Sequence, residues 1–119
     1  MSLLGVPDDA LEAARWLASQ AASAGKLELA QRVLDGLVVL DPRNVPAAVL
    51  RAEVALRRGD AATAHEAAGR ALQIAPRDPA ALLAYGRALL ALGETADAQR
   101  WLGAAAAAGS PLARALVPV

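Results

Sequence analysis

Cysteine is absent from the 119 residues. That excludes disulfides and thiolate-bound metal, and it makes the cytosol the expected compartment. Phenylalanine is absent as well, and only Trp16, Tyr85 and Trp101 are aromatic. Strands draw on aromatic and β-branched residues, so an all-α chain is expected. Net charge is missing too: twelve acids face twelve bases. No basic run or stripe advertises nucleic acid or an anionic membrane. No apolar run approaches the ~18 residues of a membrane span, so no membrane insertion is expected. The opening MSLLGVPDD lacks a basic region followed by a long apolar one, and it does not read as a signal peptide.

Chemistry is equally sparse. His65 is the only histidine, with Glu66 and Asp60 its only acidic neighbours in sequence, which is no metal constellation. Its place on a second helix predicts a solvated or inter-repeat side chain. No nucleophile motif, phosphate-binding glycine loop or H-E-x-x-H occurs. The remaining acids are spread singly, as on a solvated helical surface. No catalytic residue, no metal and no cofactor is expected, and an enzyme is not. Trp16 and Trp101 are expected as packing anchors.

Alanine is what the chain has in quantity: 33 residues, the best helix former and the one that lets helices approach closely. Its length suits one domain over 1–119. Within it a skeleton recurs. Gly25, Gly59 and Gly93 are 34 residues apart, as are Ala30, Ala64 and Ala98, and Pro42 keeps the step with Pro76. Three sets in phase define repeats over 11–44, 45–78 and 79–112, with a tail over 113–119. Asn44, Asp60 and Asp78 are plausible N-caps, Pro79 suits a first helical position, and the three glycines fall where each first helix turns into its second. The spacing predicts helices over 9–24, 27–40, 45–58, 61–75, 79–92 and 95–108, with a short turn over 111–116.

A 34-residue helix–turn–helix period with small residues at fixed offsets resembles the tetratricopeptide repeat (TPR). The resemblance implies a right-handed α-α superhelix of three stacked hairpins. The family's large–small pair in the first helix is matched by Leu17-Ala18, Arg51-Ala52 and Tyr85-Gly86, with Arg51 a departure. The slots that follow in the second helices hold Leu34, Ala68 and Leu102, then Leu37, Ala71 and Ala105. Bulk is traded for alanine and leucine throughout.

In this family the first helices line a concave groove. Carried onto this chain, the groove positions are Glu12, Arg15, Ser19, Ala22 and Ser23; then Pro46, Val49, Glu53, Leu56 and Arg57; then Ala80, Leu83, Arg87, Leu90 and Ala91. The partner-binding set expected from them is Arg15, Ser19, Val49, Glu53, Leu56, Arg57, Leu83, Arg87 and Leu90. Apolar side chains of a protein or peptide partner would enter near Val49, Leu56, Leu83 and Leu90, and Arg15, Glu53 and Arg87 would set its direction. The Lys/Asn clamp by which some TPR co-chaperones hold a C-terminal carboxylate is not matched: the slots hold Arg15, Ser19, Leu50, Ala80 and Ala84. The apolar tail residues Leu112, Leu116, Val117 and Val119 would either cap the last hairpin, over Trp101 and Leu102, or form an interface in a homodimer or hetero-complex.

A narrower likeness lies in the segments VLDGLVVLDPRN, ALRRGDAATAHEAAGRALQIAP and ALLALGETADAQRWL. They resemble the small TPR chaperones of bacterial type III secretion, and the chain length suggests the compact ones that hold an export-apparatus or needle component rather than a translocator. That resemblance implies a cytoplasmic chaperone holding an amphipathic or extended segment of a secretion partner. A generic scaffold joining folded proteins is the competing expectation.

Overall fold

The computed structural model describes Gly5 and residues 7–116. Seven helices follow in order: α1 (Asp8–Ser23), α2 (Leu27–Leu40), α3 (Val45–Arg57), α4 (Ala61–Ile74), α5 (Pro79–Ala91), α6 (Thr95–Ala107) and α7 (Pro111–Leu116). No strand occurs among the described residues. Five of the helices end one residue before the expected boundary. That residue is the C-cap in each case, and its backbone N–H still bonds back into the helix.

Each first helix closes with the same pair of bonds. The Lys26 N–H donates to the Ala21 carbonyl at 2.8 Å and the Gly25 N–H to Ala22 at 3.0 Å. Asp60 and Gly59 repeat the pattern onto Ala55 and Leu56, and Glu94 and Gly93 repeat it onto Leu89 and Leu90. The closure needs a left-handed residue, and Gly25, Gly59 and Gly93 supply it with φ of 79°, 79° and 82°. The expected caps are in place. Asn44, Asp60 and Asp78 accept from the N–H groups of Ala47, Thr63 and Ala81 at 3.0, 3.1 and 2.9 Å. Thr63, first through its hydroxyl and then through its N–H, holds the Asp60 carboxyl below the usual carboxylate range.

Three hairpins result, α1–α2, α3–α4 and α5–α6. The second helix of each packs on the first helix of the next, and α3 also lies beside α5. The stack measures 46 × 26 × 22 Å. Small residues let the helices approach: Ala18, Ala52, Ala30, Ala64 and Ala98 are fully buried. At Gly86 there is no room even for a methyl group, because a Cβ would stand 2.7 Å from Leu102 Cδ2. Leu34, Ala68, Leu102, Leu37, Ala71 and Ala105 fill the remaining layer, all buried.

One expectation about an individual side chain changes. Trp16 is not a packing anchor: it is 62% exposed, and Leu17 beside it is 48% exposed. In later hairpins the equivalent face of the first helix is covered by the preceding second helix, and α1 has none before it. Arg51, the departure from the repeat pattern, is 15% exposed and bridges three helices. Its guanidinium meets Asp35 of α2 at 2.9 Å and Glu66 of α4 at 3.4 Å. Burial works against its charge, but those two carboxylates outweigh burial and hold it above its ordinary value. Of the two alternatives for the tail, the cap is made by Ala113, buried in a cluster with Leu82 and Ala105, and not by Leu112 or Leu116. Leu112 and Leu116 are exposed, and Val117 and Val119 lie outside the described residues. The Ala113 N–H donates to Ser110 Oγ at 3.2 Å, fastening the start of α7.

Candidate partner groove

A cavity of about 470 Å³ opens between the first helices. Arg15 and Ser19 come to it from α1, and Val45, Pro46, Val49, Leu50 and Glu53 from α3. Ala75 and Asp78, from the α4–α5 connection, and Ala80 of α5 close it. The α3 residues meet there because 46, 49, 50 and 53 share one helical face at three- and four-residue steps. Pro46, in the first turn, adds a rigid apolar edge.

The expected groove residues divide. Arg15, Ser19, Val49 and Glu53 are gathered in this cavity, with Pro46 and Ala80. Leu56 packs on Ala55, Ala64 and Ala88, and Leu83 packs with Leu82, Ala105 and Ala113. Both are half-buried side chains tied to their hairpins. Leu90 is exposed near the end of α5. Arg57 donates from Nη1 to the Ala22 carbonyl at 2.8 Å, joining α3 to the end of α1. Arg87 is half-buried and close enough to act on Glu53 through its charge. Ala22 is buried and Ser23 and Ala91 are exposed. Val45, Leu50, Ala75 and Asp78 were not among the expected positions. Two of them come from the connection before α5, which a frame of first-helix positions leaves out.

The electrostatics of the floor centre on Glu53. Its carboxylate makes no hydrogen bond or ion pair among the described residues, although it is half-buried. Burial pushes its carboxyl above the ordinary range, and Arg87 partly opposes this. Arg15 is paired with Glu12 at 2.9 Å at the rim. The site therefore offers apolar walls, one carboxylate that no described protein group hydrogen-bonds, and two cations near it. No group of three potential metal ligands occurs among the described residues, and no helix there is long and apolar enough to cross a membrane.

A second cleft lies elsewhere, where α4, α5 and α6 meet. His65, Tyr85 and Trp101 form a ladder there. Adjacent centroids are 4.8 Å apart, tilted at the first step and edge-to-face at the second. His65 is thus an inter-repeat side chain.

Comparison with known proteins places this geometry. No curated protein matches the sequence. Among solved structures, the chain is similar to the type III secretion chaperone SycD of Yersinia enterocolitica in complex with a peptide of the translocator YopD. The identity is 24% and the TM-score 0.83, over 94% of this chain and 87% of that one. It is similar to PcrH of Pseudomonas aeruginosa at 22% identity and a TM-score of 0.84, over 98% and 90%. PcrH has also been solved with the chaperone binding regions of PopB and PopD. The first TPR of Spaghetti, bound to an HSP90 peptide, gives 18% identity and a TM-score of 0.87, over 94% and 90%. At these identities the likeness establishes the fold. The tetratricopeptide repeat family description matches residues 55–117, just over half of the sequence. With the recurring glycine closures, buried alanine slots and stacked hairpins, the chain belongs to the tetratricopeptide repeat family.

Proposed function

We propose that the chain is a small chaperone that holds an extended, largely apolar segment of a type III secretion partner in the cavity between α1, α3 and α5. The observation that carries this reading is the cavity itself. It is apolar-walled, about 470 Å³, and has in its floor a half-buried carboxylate, Glu53, that no described protein group hydrogen-bonds. The likeness to SycD and PcrH, each solved with a translocator segment, supports it. Each apolar side chain buried there contributes roughly 1.5–3 kcal/mol. Two or three such anchors, less the cost of ordering the segment, give affinities on the order of micromolar. Arg15, Ser19, Val49 and Glu53 are the contact residues in this reading, with Leu56, Leu83, Arg87 and Leu90 flanking them. The work is done in the cytoplasm, before export.

The test is co-expression with candidate type III secretion proteins, followed by size-exclusion chromatography with light scattering. A defined hetero-complex is expected. Ser19→Arg with Ala80→Glu should abolish it without loss of helicity, because both positions are exposed and line the cavity. A complex that survives both substitutions would remove the groove from the reading. If only folded partners bind, and no short segment of them does, the scaffold reading stands instead.

A further inference from the structure

The outer cleft between α4, α5 and α6 has features that the partner groove does not use. The sequence holds three aromatic residues and one histidine, and three of these four rings stand side by side there. The cleft measures about 430 Å³ and is lined by the ladder with Gly69, Leu72, Gln73 and the Glu66–Arg70 ion pair. It is open along its length. A small molecule would be left mostly in water there, whereas well-bound ligands bury most of their surface.

Its hydrogen-bonding groups point to an extended chain. The Tyr85 hydroxyl, the Trp101 indole N–H and the Gln73 amide make no hydrogen bond among the described residues. Tyr85 and Trp101 are only half exposed, yet neither polar atom is buried without a partner, so both reach solvent. Aromatic faces beside free donors suit a partner with a ring-rich apolar edge and unsatisfied carbonyls. A polyproline II segment has both, since it forms no internal hydrogen bonds. The dimensions agree. Such a helix presents the same edge every three residues, roughly 9 Å apart. Two rungs of 4.8 Å set the upper limit of the ladder's reach, close to one turn. Aromatic-lined grooves that dock proline-rich segments work on this principle. Gly69 keeps the floor low: a Cβ there would meet Tyr85 Cε1 at 3.6 Å, an ordinary contact. A methyl group at 69 would therefore touch the Tyr85 ring without strain, and a longer side chain there would extend over the ladder.

We infer that the His65–Tyr85–Trp101 cleft is a second docking surface, independent of the partner groove, for a proline-rich segment in the polyproline II conformation.

The experiment is a nitrogen-15 NMR titration of the full chain with an acetylated nine-residue oligoproline, and with a Gly/Ser peptide of equal length as control. Saturable shifts of the Trp101 indole and the Gly69 amide are expected with oligoproline alone, while the Trp16 indole stays still. Gly69→Leu should weaken binding at least tenfold by filling the cleft floor. Trp101→Leu, which removes a rung, should do the same. The inference is overturned if oligoproline at millimolar concentration moves neither signal, if both folded variants bind as the parent does, or if the shifts centre on Ser19 and Ala80. The last result would assign oligoproline to the partner groove and leave that reading intact.

Discussion

One slot recurs in the first helix of all three hairpins and is occupied three ways. Leu17 is largely exposed, Arg51 is nearly buried in an ion-pair bridge, and Tyr85 is half-buried in an aromatic ladder. The difference comes from the preceding hairpin. Asp35 of α2 stands opposite Arg51, and Gly69, 34 residues further on, stands opposite Tyr85. A charge is answered by an opposite charge, and a large ring by the smallest residue. No described helix precedes α1 to cover Leu17. A repeat position is thus completed by its neighbour, and identical places in a stacked array carry unequal energies.

Substitution along this slot should reproduce the gradient. Tyr85→Ala is expected to cost the most, about 2 kcal/mol, because it removes ring contacts with both His65 and Trp101. Urea unfolding would measure it, and a cost no larger than that at Leu17 would break the comparison. Arg51→Ala should cost about 1 kcal/mol, since its carboxylate partners are half exposed and regain water. A double-mutant cycle with Asp35→Ala should show coupling of a few tenths of a kcal/mol to about 1 kcal/mol.

Glu53, two residues from Arg51 on the same helix, sharpens the contrast between a paired and an unpaired charge. Its folded-state pKa lies above the unfolded one, so the fold loses stability as pH rises from the ordinary carboxylate range through the raised value. Glu53→Gln should therefore raise the Tm at pH 7 while leaving it unchanged below pH 4. The gain is no more than about 1 kcal/mol, because Arg87 already offsets part of the penalty. A lower Tm at pH 7 would mean that the carboxylate has a stabilising partner. Leu17→Ala comes last and should stay within about 0.5 kcal/mol, as for an exposed surface residue. A larger loss, growing with protein concentration, would place Leu17 and Trp16 in a contact between copies of the chain.

Much of the architecture was legible because it rests on local chemistry with a fixed period. Gly25, Gly59 and Gly93 mark left-handed closures, Asn44, Asp60 and Asp78 carry their own cap acceptors, and each of these acts within a few residues of chain. The groove was legible only in part. Arg15, Ser19, Val49 and Glu53 meet in one cavity, whereas Leu56, and Leu83 in the same frame position as Val49, pack into the stack. Helical periodicity tells which face a residue occupies, and not whether a neighbour has already covered it.

The sequence by itself determined the helices, their caps and turns, the 34-residue step and the small slots, since these follow from backbone conformation and side-chain size. The tertiary structure alone decided which copy of a slot is covered, that Arg51 finds Asp35 and Glu66, that Glu53 is left without an ion-pair partner in the cavity, and that three of the few rings form a ladder. Each of these depends on residues brought together from separate helices, and their energies come from burial and proximity that exist only after the hairpins stack.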